Sequence, residues 1–118
     1  MFRRKKKDPL AGYESARPED RQVLTALLNA GADLAAPRHV LHFIYDLVDE
    51  ASARQAAAEV EGWQTSVKPP PEGYETWSVT FERQGYVLSP ENVAADAAAF
   101  SAAASAHGGH YDGWEASV

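Results

Sequence analysis

Residues Arg38–Val48 read RHVLHFIYDLV. A run this dense in bulky β-branched and aromatic side chains belongs in the middle of a sheet, where such residues pack against neighbours on a pleated surface. Leu41, Phe43, Tyr45 and Leu47 fall on one parity, and Val40, His42, Ile44 and Asp46 on the other. With period two, the first set makes a wholly apolar face and the second a mixed one, so the pattern places Leu41, Phe43 and Tyr45 against the core. A helix would scatter the same side chains around its circumference.

The flanking sequence supplies what covers that face. A helix is predicted from Pro18 to Asn29: Pro18 suits a first helical position, Glu19 and Asp20 sit at the positive end of the dipole, and Val23, Leu24, Leu27 and Leu28 form one stripe that Gly31 ends. Asp49 is an N-cap for a second helix, Glu50–Glu61, closed by Gly62. A short strand over Trp63–Val67 and a stiff KPPPEG connection lead to Tyr74–Glu82, where Trp77, Val79 and Phe81 alternate with Thr76, Ser78 and Thr80. Ser89 caps a last helix with Pro90 at its first position and a seam of Val93, Ala97, Phe100 and Ala104. Gly108 and Gly109 close it, and HYDGWE forms a final strand. After the first helix the order is β-α-β-β-α-β, the split βαβ pattern of an α+β, ferredoxin-like sandwich. Right-handed crossovers would put the strands from Arg38 and Tyr74 in the centre of a four-stranded antiparallel sheet, with the other two at its edges. The expected core is Leu41, Phe43, Tyr45, Trp77, Val79, Phe81 and Phe100. The leucines of the additional N-terminal helix can bury beside the other helices, on the open face, or against a second subunit.

At 118 residues and 45% hydrophobic, the chain suits a single core, expected over residues 15–118. It contains no cysteine, which removes disulfides and thiolate metal sites. Arg3–Lys7 hold five of the eleven basic residues, and no apolar run follows them as a signal peptide or membrane span requires. Residues 1–14 are therefore expected to be a basic, disordered tail, and the protein to be soluble and cytoplasmic. All seventeen acids lie beyond Lys7, so positions 8–118 carry six basic residues against seventeen acidic ones, a formal charge of −11. A body of that sign repels phosphate, which argues against nucleic-acid binding by the folded part.

The chemistry-bearing residues are few. His39, His42, His107, His110 and Asp112 match no zinc spacing, and no nucleophile stands beside a base, so neither an enzyme nor a cofactor or metal site is expected. An RNA-recognition platform would need outward aromatics on the second central strand, where Thr76, Ser78 and Thr80 stand instead. A small-ligand regulatory domain, which can bind through backbone groups alone, stays open. Pairing of the last strand with the first brings Arg38 toward Trp114 and Glu115, and His42 toward Asp112 and His110. That juxtaposition nominates Arg38, His42, His110, Asp112 and Trp114 as a partner-binding constellation, because Trp and Arg are favoured interface anchors. The structural alternative is an Arg38–Asp112 salt bridge with Trp114 in the core.

The passage LLNAGADLAAPRHVLHFIYDLVDEASARQAA, the tryptophan-containing strand after a proline loop, and the ending GGHYDGWE resemble the regulator of ribonuclease activity B (RraB) family of bacterial ferredoxin-like proteins over roughly residues 18–115. The resemblance implies a protein inhibitor of the endoribonuclease RNase E that acts by direct binding and so modulates RNA decay.

Overall fold

The computed structural model describes residues 8–118. Helix α1 (Pro18–Asn29) is followed by β1 (Arg38–Leu47), α2 (Glu50–Glu59), β2 (Gln64–Lys68), β3 (Trp77–Tyr86), α3 (Pro90–Ala106) and β4 (His110–Ala116). The strands make one four-stranded sheet in the order β2-β3-β1-β4, and each neighbouring pair is antiparallel. The fold is thus α+β, with β1 and β3 in the centre as the crossover argument expects.

Local sequence accounts for the helix ends. Asp49 Oδ1 accepts from Ser52 N at 2.8 Å and Ser89 Oγ from Asn92 N at 3.1 Å, each satisfying a first-turn donor. Gly31 and Gly108 adopt φ of 91° and 72°, and the next residues donate back to Leu27 O at 2.9 Å and Ala104 O at 2.8 Å, which closes α1 and α3 with Schellman turns. Helix α2 stops at Glu59, two residues short of expectation, because Val60 is already extended. Strand β3 starts at Trp77 rather than Tyr74, because Pro71–Tyr74 forms a turn closed by Tyr74 N donating to Pro71 O at 3.0 Å.

The register of β1 differs from the sequence expectation. Val40, His42 and Ile44 are buried, whereas Leu41 and Phe43 are half-buried and Tyr45 is 41% exposed. Leu41, Phe43 and Tyr45 therefore leave the expected core, while Val79, Phe81 and Phe100 keep their places in it and Trp77 packs partly buried against it. The pairing explains the outcome: in an antiparallel ladder opposed residues share a face, and His42 lies opposite Phe81 and Ile44 opposite Val79. Leu47 reaches the core although it shares parity with Tyr45, because a bulge between Ile44 and Leu47 switches the face, with Asp46 at φ 62°.

Helix α1 packs against β4, and its Leu24 and Leu27 join the same core as Phe81 and Phe100. Among the sites open to its leucines, it takes one on the covered face, against β4. Within the stretch expected to be a tail, Leu10 and Tyr13 are buried and the Tyr13 hydroxyl donates to Leu88 O. Arg3–Lys7 lie outside the described residues.

Candidate functional site

The structure separates the five nominated residues. His42 stands opposite Trp114, not Asp112, and Tyr45 stands opposite His110, so the β1–β4 register is shifted from the expected one. His42 and Trp114 face the helices, 3% and 8% exposed. Arg38 is also buried, and its guanidinium donates to two backbone carbonyls, Ser117 O at 2.8 Å and Asp33 O, rather than to Asp112. His110 and Asp112 alone are exposed, 3.9 Å apart at the far end of β4, where with Arg17 and Glu19 they border a cleft of about 290 Å³.

What the covered side holds is a buried polar chain. Asp20, 1% exposed, accepts from Arg17 Nε at 3.0 Å, Arg17 Nη2 at 2.9 Å and Trp114 Nε1 at 2.9 Å. The Arg17 guanidinium lies 4.9 Å over the Tyr111 ring, and the Asp20 contact raises its pKa further above the ordinary arginine range. The Tyr111 hydroxyl is hydrogen-bonded to His42 Nδ1 at 2.7 Å. His42 stacks on Phe100 at 4.1 Å and meets the edge of Trp63 at 4.9 Å. Its Nε2 has no hydrogen-bond partner and stands 3.9 Å from Asp96 Oδ2, which accepts from the Tyr86 hydroxyl at 2.7 Å. Burial drives the His42 pKa down to about 3 and the Asp96 pKa up to about 6, so near neutral pH the imidazole is uncharged and Asp96 is ionised. Burial likewise raises the Tyr86 and Tyr111 hydroxyls above the usual phenol range. This chain ties α1, β4, β1, α3 and β3 together. Within it His42 is 3% exposed and walled in by aromatic rings.

As buried polar groups Asp20 and Asp96 escaped the sequence reading, which took Asp20 only as a first-turn acid, although a signal was present. Asp20 shares a helical face with Leu24 and Leu27, and Asp96 with Val93 and Phe100, so each acid stands on an otherwise apolar stripe. The other histidines pair separately: His107 Nε2 with Glu59 at 2.9 Å, and His39 with Glu82 at 3.0 Å but out of line for a hydrogen bond. Among the described residues no group of three or more His, Asp or Glu side chains could hold a metal ion.

The uncovered side of the sheet presents Leu41, Phe43 and Tyr45 from β1 beside Ser78, Thr80 and Glu82 from β3, with Phe43 and Tyr45 stacked at 6.2 Å. The β4 residue Glu115 stands opposite Leu41 on the same face. This is a partly apolar stripe with a mainly acidic border, to which β2 adds Lys68, and it is the surface from which the sequence reading had removed the aromatics. Among the described residues no helix is long and apolar enough to cross a membrane.

A search of curated proteins found no match to the chain. A family model described as "Regulator of ribonuclease activity B" matches residues 17–116, from the arginine over the Tyr111 ring to the last residue of β4. That span takes in the buried polar chain, the sheet and all three helices, and the chain belongs to the regulator of ribonuclease activity B family, a family of regulators rather than of catalysts.

Proposed function

We propose that this protein binds an endoribonuclease, RNase E or a related enzyme, and restrains RNA decay as a protein inhibitor in the cytoplasm, without cleaving or gripping RNA itself. The family match over residues 17–116 carries the reading. We also assign the arrangement to the ferredoxin-like class, which the β-α-β-β-α-β order and the β2-β3-β1-β4 sheet support. The physical case is electrostatic. A body with six basic and seventeen acidic residues beyond Lys7 can compete with RNA for a basic, RNA-binding surface of a nuclease, using the steering that RNA itself uses. The open sheet face gives such contacts an apolar centre at Leu41, Phe43 and Tyr45 with Glu82 and Glu115 around it. Of the five residues nominated from sequence, the exposed Asp112 extends this acidic surface, with His110 beside it.

The exposed Phe43–Tyr45 pair also favours a second reading, stacking of single-stranded RNA, which the acidic border opposes. One assay separates the two. Purified protein, labelled RNA and the cognate nuclease are mixed over a salt series. Inhibition of cleavage that weakens as salt rises, and as Asp112 becomes lysine, supports the inhibitor, because exposed charge pairs are screened beyond about 10 Å at 0.1 M. Unchanged cleavage at saturating protein, or tight RNA binding without the nuclease, defeats it.

A further inference from the structure

The end of β1 departs from regular pairing, and the bulge that returns Leu47 to the core also shapes the surface beside it. Ile44 faces Val79 and Leu47 faces Trp77, so β1 carries one residue more than β3 between these pairs. Asp46 takes up the excess at φ 62°, the one positive φ outside glycine among the described residues. Such bulges re-aim side chains, and backbone strain of this kind concentrates at binding sites. Here the bulge leaves Tyr45 and Asp46 both exposed. Across from them, the stiff Pro69–Pro71 run ends in the Pro71–Tyr74 turn, with Gly73 at φ 85°, the sign a type II turn needs at its third position. That turn presents Tyr74 at 71% exposure. Between the bulge and the turn lies an opening of about 250 Å³ bordered by Tyr45, Asp46, Pro71, Tyr74 and Trp77.

Three aromatic rings and one carboxylate around a small opening are the chemistry that recognises an organic cation. The ring faces are electron-rich, and the carboxylate supplies the counter-charge. A planar guanidinium satisfies both demands at once, stacking on rings while forming paired hydrogen bonds to a carboxylate, which a compact ammonium does less well. An anion would meet Asp46 and, on the loop that carries Tyr74, the exposed Glu72 and Glu75. Lys68 lines a neighbouring opening rather than this one, although its cross-strand partner Ser78 borders this one. We propose that this opening is a docking pocket for an arginine side chain presented by a basic segment of a protein partner, with Tyr74 and Trp77 as its walls and Asp46 as the counter-charge. The charge of −11 over residues 8–118 favours such a segment. Only the identification of that partner with a ribonuclease rests on the preceding reading.

The test is calorimetric titration of the full chain with the capped peptide Gly-Arg-Gly-Arg-Gly and its lysine counterpart, for wild type, Tyr74→Ala and Asp46→Asn. Asparagine tolerates the left-handed conformation, so the second variant removes charge and keeps the bulge. Tyr74 is exposed, so the first leaves folding intact. The arginine peptide should bind more tightly than the lysine one, and Tyr74→Ala should weaken it roughly three- to tenfold, the range of one cation–π contact. Diffuse attraction to an acidic body would survive Tyr74→Ala, which leaves the charge unchanged. Equal affinity for wild type and Tyr74→Ala, or no preference for arginine, overturns the pocket. A gain in affinity on removing residues 2–7 that vanishes in Tyr74→Ala would give the pocket to the chain's own Arg3–Lys7 and overturn the assignment to a partner. The nuclease assay keeps the two readings apart. Peptide binding with no inhibition by wild type refutes the ribonuclease reading and leaves the pocket standing. Inhibition with peptide binding indifferent to Tyr74→Ala does the reverse.

Discussion

His42 sits where a cation is least welcome, stacked on Phe100 with one ring nitrogen unpartnered. The charged groups facing it are Asp20 and Arg17 from the α1 side and Asp96 from α3. Between pH 6.5 and about 3 the unfolded chain binds a proton at His42 that the native protein refuses, so this group makes stability fall as pH falls through that window. Asp96 works in the opposite sense. Between pH 3.8 and about 6 the native protein holds a proton that the unfolded chain has released, so this group makes stability fall as pH rises. The two contributions oppose each other between about pH 4 and 6. Thermal melts of wild type should therefore be nearly level there and decline below it. His42→Phe should leave the Asp96 slope, with Tm falling as pH rises from 3.8 to 6. Asp96→Asn should leave the His42 slope, with Tm rising from pH 3 to 6.5. Parallel pH profiles for all three proteins would refute the assignment.

At the scale of elements, the helix ends are local devices whose removal has a local cost. Ser89→Ala takes away the acceptor for Asn92 N at the start of the helix that carries Phe100, and should destabilise by about 1 kcal/mol in denaturant unfolding. The other end of α3 is less forgiving. A Cβ at Gly109 would stand 2.7 Å from Leu47 Cδ2 and 2.9 Å from Tyr45 O, and the backbone oxygen cannot swing aside. Gly109→Ala should cost about 1–3 kcal/mol, the range for forcing extra bulk into a packed site. Gly108→Ala meets no neighbour but holds φ at 72°, so its cost should come from backbone strain alone. The glycine pair was legible in the sequence as a helix stop. Its second role, letting β4 approach the β1 bulge, was not, because a stop signal says nothing of what the next strand lies against.

Over the whole molecule, the sheet has one packed side and one open side, and the two should answer differently to the same truncation. Phe100 is fully buried against Phe81 and His42, so Phe100→Ala should cost about 3–5 kcal/mol. Phe43 is half-buried on the open side, so Phe43→Ala should cost clearly less and, if the proposed inhibitor reading holds, weaken inhibition of the nuclease. Denaturant midpoints read beside the cleavage assay check both halves. A large stability loss at Phe43 would return that residue to the core. A loss of stability with no loss of binding would move the contact face away from the open sheet.

The sequence by itself determined the elements and their order. Caps at Asp49 and Ser89, stops at Gly31 and Gly108, and the alternation of Trp77, Val79 and Phe81 are set by interactions within a few residues, so they are readable from the chain alone. Only the tertiary structure decided which side of β1 is inside. Leu41, Phe43 and Tyr45 are heavier than Val40, His42 and Ile44, but a central strand takes its facing from both neighbours. Phe81 on β3 and Trp114 on β4 both stand opposite His42. The same pairing drew His42 and Trp114 out of the nominated binding face and into the core. The bulge at Asp46, which no local pattern announced, then returned Leu47 to the interior and left Tyr45 and Asp46 beside Tyr74. Side-chain parity is a local property, but the face it occupies is a relation between strands distant in sequence, and so it belongs to the fold.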